Sequence, residues 1–215
     1  MKTARDARIY EIILNIIIVV LTVIGMTLML TGNPSEGALQ ARGIGNFKFY
    51  TVLSNVFCGI VALINLILIA VNKDNSKLTP LKLGAVCATT ITFVIVGFFF
   101  GPLYGWIQFY QRGNLFFHLI EPVVALVEFL SVKRSGIPFR YTVYAAVPTL
   151  LYGIGYALNN LINGIGGPWP YTNDFYGFLN WGWTIGIIIL MSVTLIAFGL
   201  SCLFRVISNK LSSRR

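Results

Sequence analysis

The chain reads as an all-α bundle of about six membrane-spanning helices with both termini in the cytoplasm. Three observations predict it. The composition is too apolar for water: 56% of the 215 residues are hydrophobic and 11% are charged, against about 25% charged in an ordinary soluble domain. Apolar runs recur at the length of about 20 residues that a bilayer demands. Basic residues gather in alternate linkers, which is the signature of topology.

The first run spans Tyr10 to Leu30. It lacks a small-residue cleavage site after its apolar stretch, so it is expected to be retained as a span rather than removed as a signal. The second run covers Phe49 to Val71, the third Leu83 to Tyr104 and the fourth Asn114 to Val132. The fifth covers Tyr141 to Leu161 and the sixth Trp181 to Ile207. Short breaker-rich linkers separate them: Gly32-Asn33-Pro34, Asn72 to Pro80, Ser135 to Pro138 and Gly164 to Pro170. No insertion is long enough for a second domain, so residues 1–215 are expected to form one membrane domain. No internal repeat is evident, which argues against a transporter built from inverted halves.

The formal net charge is +9. Nucleic-acid binders carry such charge as a patch on a soluble face, whereas here it lies between apolar runs. Lys2, Arg5 and Arg8 precede the first run. Lys73, Lys77 and Lys82 lie between the second and third, and Lys133, Arg134 and Arg140 between the fourth and fifth. Arg205, Lys210, Arg214 and Arg215 close the chain. A six-span path puts all of these on one side and only Arg42, Lys48 and Arg112 on the other. Basic loops stay cytoplasmic, so the termini are expected there and nucleic acid is not an expected partner. The other side is aromatic instead, with Trp106, Trp169, Tyr171, Trp181 and Trp183. Taken singly, these read as an interfacial belt.

Cys58, Cys87 and Cys202 each fall within an apolar run, as small buried side chains do. With one histidine and scattered acids, no metal site is expected, and no cofactor is implied. The sequence holds no phosphate-cradling glycine loop, no His-Glu-x-x-His and no Gly-x-Ser-x-Gly.

The fourth run carries the chemistry. It contains the only histidine, His118, with Glu121 and Glu128 on the same helical stripe at offsets of three and ten. Ionisable groups within a span cost roughly 2.5–3.5 kcal/mol on insertion scales and so face the bundle interior or water. Glu128 lies near the cytoplasmic end, where pairing with Lys133 or Arg134 is a sufficient explanation. The second run opens with Thr51, Ser54 and Asn55 on one face. Such residues commonly join membrane helices.

In the six-span path Thr51 and His118 enter from the same side at matching depth. A hydroxyl and an imidazole at one level are the minimum for base-assisted nucleophilic attack. Glu121 is a candidate to orient or charge-stabilise the imidazole. Asn55, Asn159 or Asn160 is a candidate donor to a developing oxyanion. Tyr156 reaches the same level, and the last outer loop, with its single acid Asp174, is a candidate cap over the site.

These residues resemble a family: the androgen-induced and androgen-dependent transmembrane proteins (the FAHFA hydrolases) and their bacterial Pr6Pr-type membrane relatives. Asn46-Phe-Lys-Phe-Tyr-Thr51 is similar to the family's Lys-Phe-x-Thr segment at the start of a span. His118, followed by Pro122 and Glu128, and Gly167-Pro-Trp-Pro-Tyr171 carry the rest of the resemblance, which covers nearly the whole chain. The resemblance implies hydrolysis of esters of fatty acids with hydroxy fatty acids, with Thr51 as nucleophile and His118 as base. It also implies a lipid ester as the partner molecule, while the compact loops suit a bacterial inner membrane. The Tyr-Thr-x-x-Ser-Asn form of residues 50–55, and Pro122 only four residues after His118, depart from the animal pattern.

Two other readings stay open. One is a non-catalytic transporter or lipid-binding protein that uses the polar stripe of His118, Glu121 and Glu128. The other is a structural partner without a ligand.

Overall fold

The computed structural model describes residues 4–32, 41, 43–132, 134, 136–167 and 171–213. Asn33, Pro34, Arg42, Lys133, Ser135 and the Pro168-Trp169-Pro170 segment lie outside the described residues, as do Lys2, Arg214 and Arg215. Six long helices account for most of the described chain: α1 (Ala4–Thr31), α2 (Tyr50–Ala70), α3 (Ser76–Tyr104), α4 (Gly113–Ser131), α5 (Arg140–Asn163) and α6 (Trp183–Ser213).

All of them except α5 are long and apolar enough to cross a membrane. In α5 the length is sufficient, but Pro148, Thr142, Thr149, Asn159, Asn160 and four tyrosines dilute its apolarity. The expected runs match the helices in the middle and miss them at the ends. Thus α3 begins at Ser76, well before Leu83, because Pro80 falls in its first turn, where a missing N–H costs nothing. Similarly, α6 continues past Ile207 to Ser213.

α3 is the central helix. Its apolar window is 61% buried, against 17–44% for the other four. It packs on α2, α4, α5 and α6, while α1 closes the bundle against α2 and α4. Small residues set the closest approaches, as expected where lipid removes any hydrophobic drive between helices. A Cβ on Gly84 of α3 would sit 3.4 Å from the Ala145 carbonyl oxygen of α5. A Cβ on Gly59 of α2 would collide with Thr22 of α1.

The end of the bundle that holds the chain's amino terminus is tied by buried charge. Glu128 of α4 accepts from Lys82 of α3 (2.5 Å), from Arg134 through both oxygens (3.0 Å each) and from Asn15 of α1 (3.2 Å). Lys82 also reaches Glu11 (3.3 Å), which accepts from Asn65 and Asn75. One carboxylate thus gathers three segments, and the Glu128–Arg134 pairing foreseen from sequence is present. Lys82, placed between the second and third runs by sequence, lies within α3 and is buried.

Candidate active site

Both π-helical turns among the described residues lie at the opposite end of the bundle and border one cavity. Their cause is written in the chain. The first, Val96–Phe100, is followed by Gly101-Pro102; the second, Phe116–Ile120, by Glu121-Pro122. In each, the residue before the proline sends its N–H five residues back, Gly101 to Val96 and Glu121 to Phe116. The proline has no N–H to give, so the next carbonyl is left without a helical donor. A side chain supplies one each time. The Trp106 indole N–H donates to the Gly97 carbonyl at 3.2 Å, and Asn55 Nδ2 donates to the Phe117 carbonyl at 3.0 Å. Gly101 makes room for the Trp106 ring, which any Cβ there would strike. Single π-turns of this kind recur at functional sites.

The cavity has a volume of about 230 Å³ and is walled mainly by apolar side chains of α3 and α6. Thr51, His118, Asn114, Tyr176, Thr92 and Thr149 supply its polar spots. The structure therefore brings Thr51 and His118 to the same space. Thr51 is the second residue of α2, so its N–H belongs to the first turn and has no intrahelical partner.

His118 sits in the second π-turn and is buried. Its Nδ1 lies 2.7 Å from the Phe109 carbonyl oxygen. A carbonyl only accepts, so Nδ1 carries the proton and Nε2 carries the lone pair. Phe109, on the loop joining α3 to α4, is buried and lines the cavity.

Glu121 does not orient this imidazole. The π-turn aims His118 at the α3–α4 loop, while Glu121 turns to α1 and accepts from the Thr22 hydroxyl at 2.8 Å. Its second oxygen is buried without a hydrogen-bond partner among the described residues. Asn55 is likewise no oxyanion donor. Both of its amide hydrogens are committed, to the Thr51 carbonyl (2.7 Å) and the Phe117 carbonyl (3.0 Å). Ser54 donates to the Thr51 carbonyl and sits 3.4 Å from the Thr92 hydroxyl, outside the cavity wall.

Tyr156, Asn159, Asn160 and Asp174 also lie off the cavity wall. Three of them hold the loop that caps it. Tyr156 donates to Asp174 and accepts the Tyr176 N–H at 3.3 Å. Asp174 also accepts the Leu179 N–H at 2.9 Å, and Asn160 donates to the Asn173 carbonyl at 3.2 Å. Among the described residues, Asn159 accepts from Asn163, at an exposed position.

The capping loop delivers Tyr176 and Phe178 to the cavity. Sequence alone does not single out Tyr176, although it follows Asp174 by two residues. Its oxygen accepts the Tyr50 N–H at 2.8 Å, at the start of α2. The neighbouring Tyr152 hydroxyl is 3.5 Å away but makes its shorter bond, 2.7 Å, to the Lys48 carbonyl. The Tyr176 proton is thereby left to donate. Burial raises its pKa to about 12, so the phenol stays protonated at neutral pH. Among the described residues no cluster of three or more His, Cys, Asp or Glu could hold a metal ion. No protein-family model, curated protein or solved structure matches the chain.

Proposed function

We propose that the protein is a membrane-embedded lipid-ester hydrolase in which Thr51 is the nucleophile and His118 the base. The observation that carries this reading is the shared cavity: a threonine hydroxyl and a histidine with its proton fixed on Nδ1 line one apolar space. Nε2 is then the nitrogen free to take the Thr51 proton as the hydroxyl oxygen attacks the acyl carbonyl. The oxyanion that forms would meet the Tyr176 hydroxyl and the Thr51 N–H at the start of α2. Collapse releases the alcohol, which takes the proton back from His118. Water, activated by the same imidazole, then frees the acid from Thr51. The resemblance of Asn46–Thr51 and His118 to the FAHFA hydrolases and their bacterial relatives supports the same assignment and a fatty acid ester as substrate.

In this reading α5 is the sixth span. At 1.5 Å per residue its 24 residues extend about 36 Å, enough for a hydrocarbon core of about 30 Å. Arg5, Arg8, Lys73, Lys77 and Lys82 then share the cytoplasmic side with both termini, and the site faces the outer leaflet of a bacterial inner membrane.

Labelling of the purified protein by a fluorophosphonate probe tests the assignment. Wild-type protein is expected to label, and Thr51→Ala and His118→Ala to lose both the label and ester turnover while remaining folded. Turnover that survives in either variant would overturn it.

A further inference from the structure

The cavity is long on apolar wall and short on volume, and one of its wall residues has no side chain. Gly153 of α5 is buried and lines it. A Cβ built there would meet only Leu190 of α6, another wall residue, at 3.7–3.8 Å, which is ordinary contact. A side chain at this position therefore has room to begin, beside the stretch of cavity wall that Gly153 and Leu190 share.

The route to the cavity is apolar as well. Phe99, on the first π-turn, is both a wall residue and 58% exposed, so it stands at the rim. From it a ladder of rings leads inward to the base: Phe99 to Phe100 at 5.4 Å, Phe100 to Phe109 at 5.8 Å and Phe109 to His118 at 6.3 Å. A rim of this composition favours a hydrocarbon chain over a polar headgroup.

We infer that Gly153 is the length gauge for the single acyl chain that the cavity holds. The identity of the bound group as an acyl chain rests on the hydrolase reading above. Each carbon added at position 153 takes up space that a carbon of the bound chain would otherwise fill, three in a valine and one in an alanine. The chain accommodated should shorten by about three carbons in Gly153→Val and by about one in Gly153→Ala.

The experiment uses the full-length protein in nanodiscs, with two readouts across one series of chain lengths. The first is the hydrolysis rate of p-nitrophenyl esters with acyl groups from two to sixteen carbons. The second is thermal stabilisation by the free fatty acids of the same lengths. Wild type is expected to peak at one and the same chain length in both, with stepwise shorter peaks in Gly153→Ala and Gly153→Val. The alanine variant guards against a valine variant that fails to fold. Stabilisation peaks that shift in this way, without turnover of any ester, would sink the hydrolase reading while upholding the gauge. Identical length profiles in wild type and both folded variants, or no stabilisation by any chain, would overturn the inference.

Discussion

Asn55→Leu isolates what the π-turn beneath His118 depends on. The substitution is close to isosteric and removes two donated hydrogen bonds, to the Thr51 and Phe117 carbonyls. The Thr51 carbonyl keeps a partner, because the Ser54 hydroxyl also donates to it at 3.1 Å. The Phe117 carbonyl does not, since Pro122 offers no N–H. Leaving it unsatisfied costs about 1–3 kcal/mol. Against this, the wild-type Asn55 Oδ1 is itself buried without a partner, and its removal returns an amount of similar size, about 1–3 kcal/mol. Net stability should therefore change by less than about 2 kcal/mol, and thermal unfolding alone would report little.

The local geometry should change far more. With Asn55 gone, the Glu121 N–H can satisfy Phe117 only by leaving Phe116, which closes the π-turn into α-helix. Closing the turn takes one residue out of it, which rotates the preceding segment by about 100° and shifts it about 1.5 Å. His118 lies in that segment and would lose its bond to Phe109. It is the only histidine in the chain, so ¹⁵N-histidine NMR reads it without ambiguity. Wild type should show one tautomer with the proton on Nδ1, and Asn55→Leu a mixture or the other form. An unchanged imidazole spectrum in folded Asn55→Leu protein would refute the argument that Asn55 holds the turn open.

The charge cluster at the other end makes a stability prediction. Glu128→Ala strands Lys82 and Arg134 as buried cations, a change worth about 3–5 kcal/mol. Lys82 keeps Glu11 and Arg134 keeps the Val132 carbonyl, so the lower end, about 3 kcal/mol, is expected in denaturant unfolding from bicelles; a loss below about 1 kcal/mol would mean that the cluster is solvated. Asp74, in the α2–α3 connection, accepts from the Ser76 N–H (2.9 Å) and hydroxyl (2.7 Å), and these hold its carboxyl below the usual range. A depressed carboxyl pKa contributes stability that is present above the unfolded value, near 3.9, and is lost as pH falls through the folded one. Carboxyl ¹³C titration should place Asp74 below its unfolded value and Ser76→Ala part-way back, the backbone donor remaining; coincident titrations in the two proteins would remove the hydroxyl from the explanation.

The helices were largely legible in the order of residues. Within lipid every backbone group must be satisfied inside its own segment, so apolar length alone marks a helix. That rule is local, and it located α1, α2, α4 and the middles of α3, α5 and α6. It failed at helix ends, where Pro80 and the last turns of α6 obey capping and packing instead of apolarity.

The two π-turns were also written locally, as Gly101-Pro102 and Glu121-Pro122, yet a proline only frees a carbonyl. Whether the turn persists depends on a donor brought from elsewhere, here Trp106 and Asn55. The same limit separated the polar residues. Helical spacing put His118 and Glu121 on one stripe, and Thr51 and Asn55 on one face. It had no means of knowing that the π-turn would send His118 to the Phe109 carbonyl and Glu121 to Thr22, or that Asn55 would spend its donors on the backbone. Tyr176 entered the site through a loop whose shape comes from Tyr156 and Asp174, eighteen residues apart in sequence. A single helix specifies which groups it carries and at what height. Only the packing of several helices decides which of those groups meet, because each buried donor and acceptor takes the nearest available partner in space and not the one nearest in sequence.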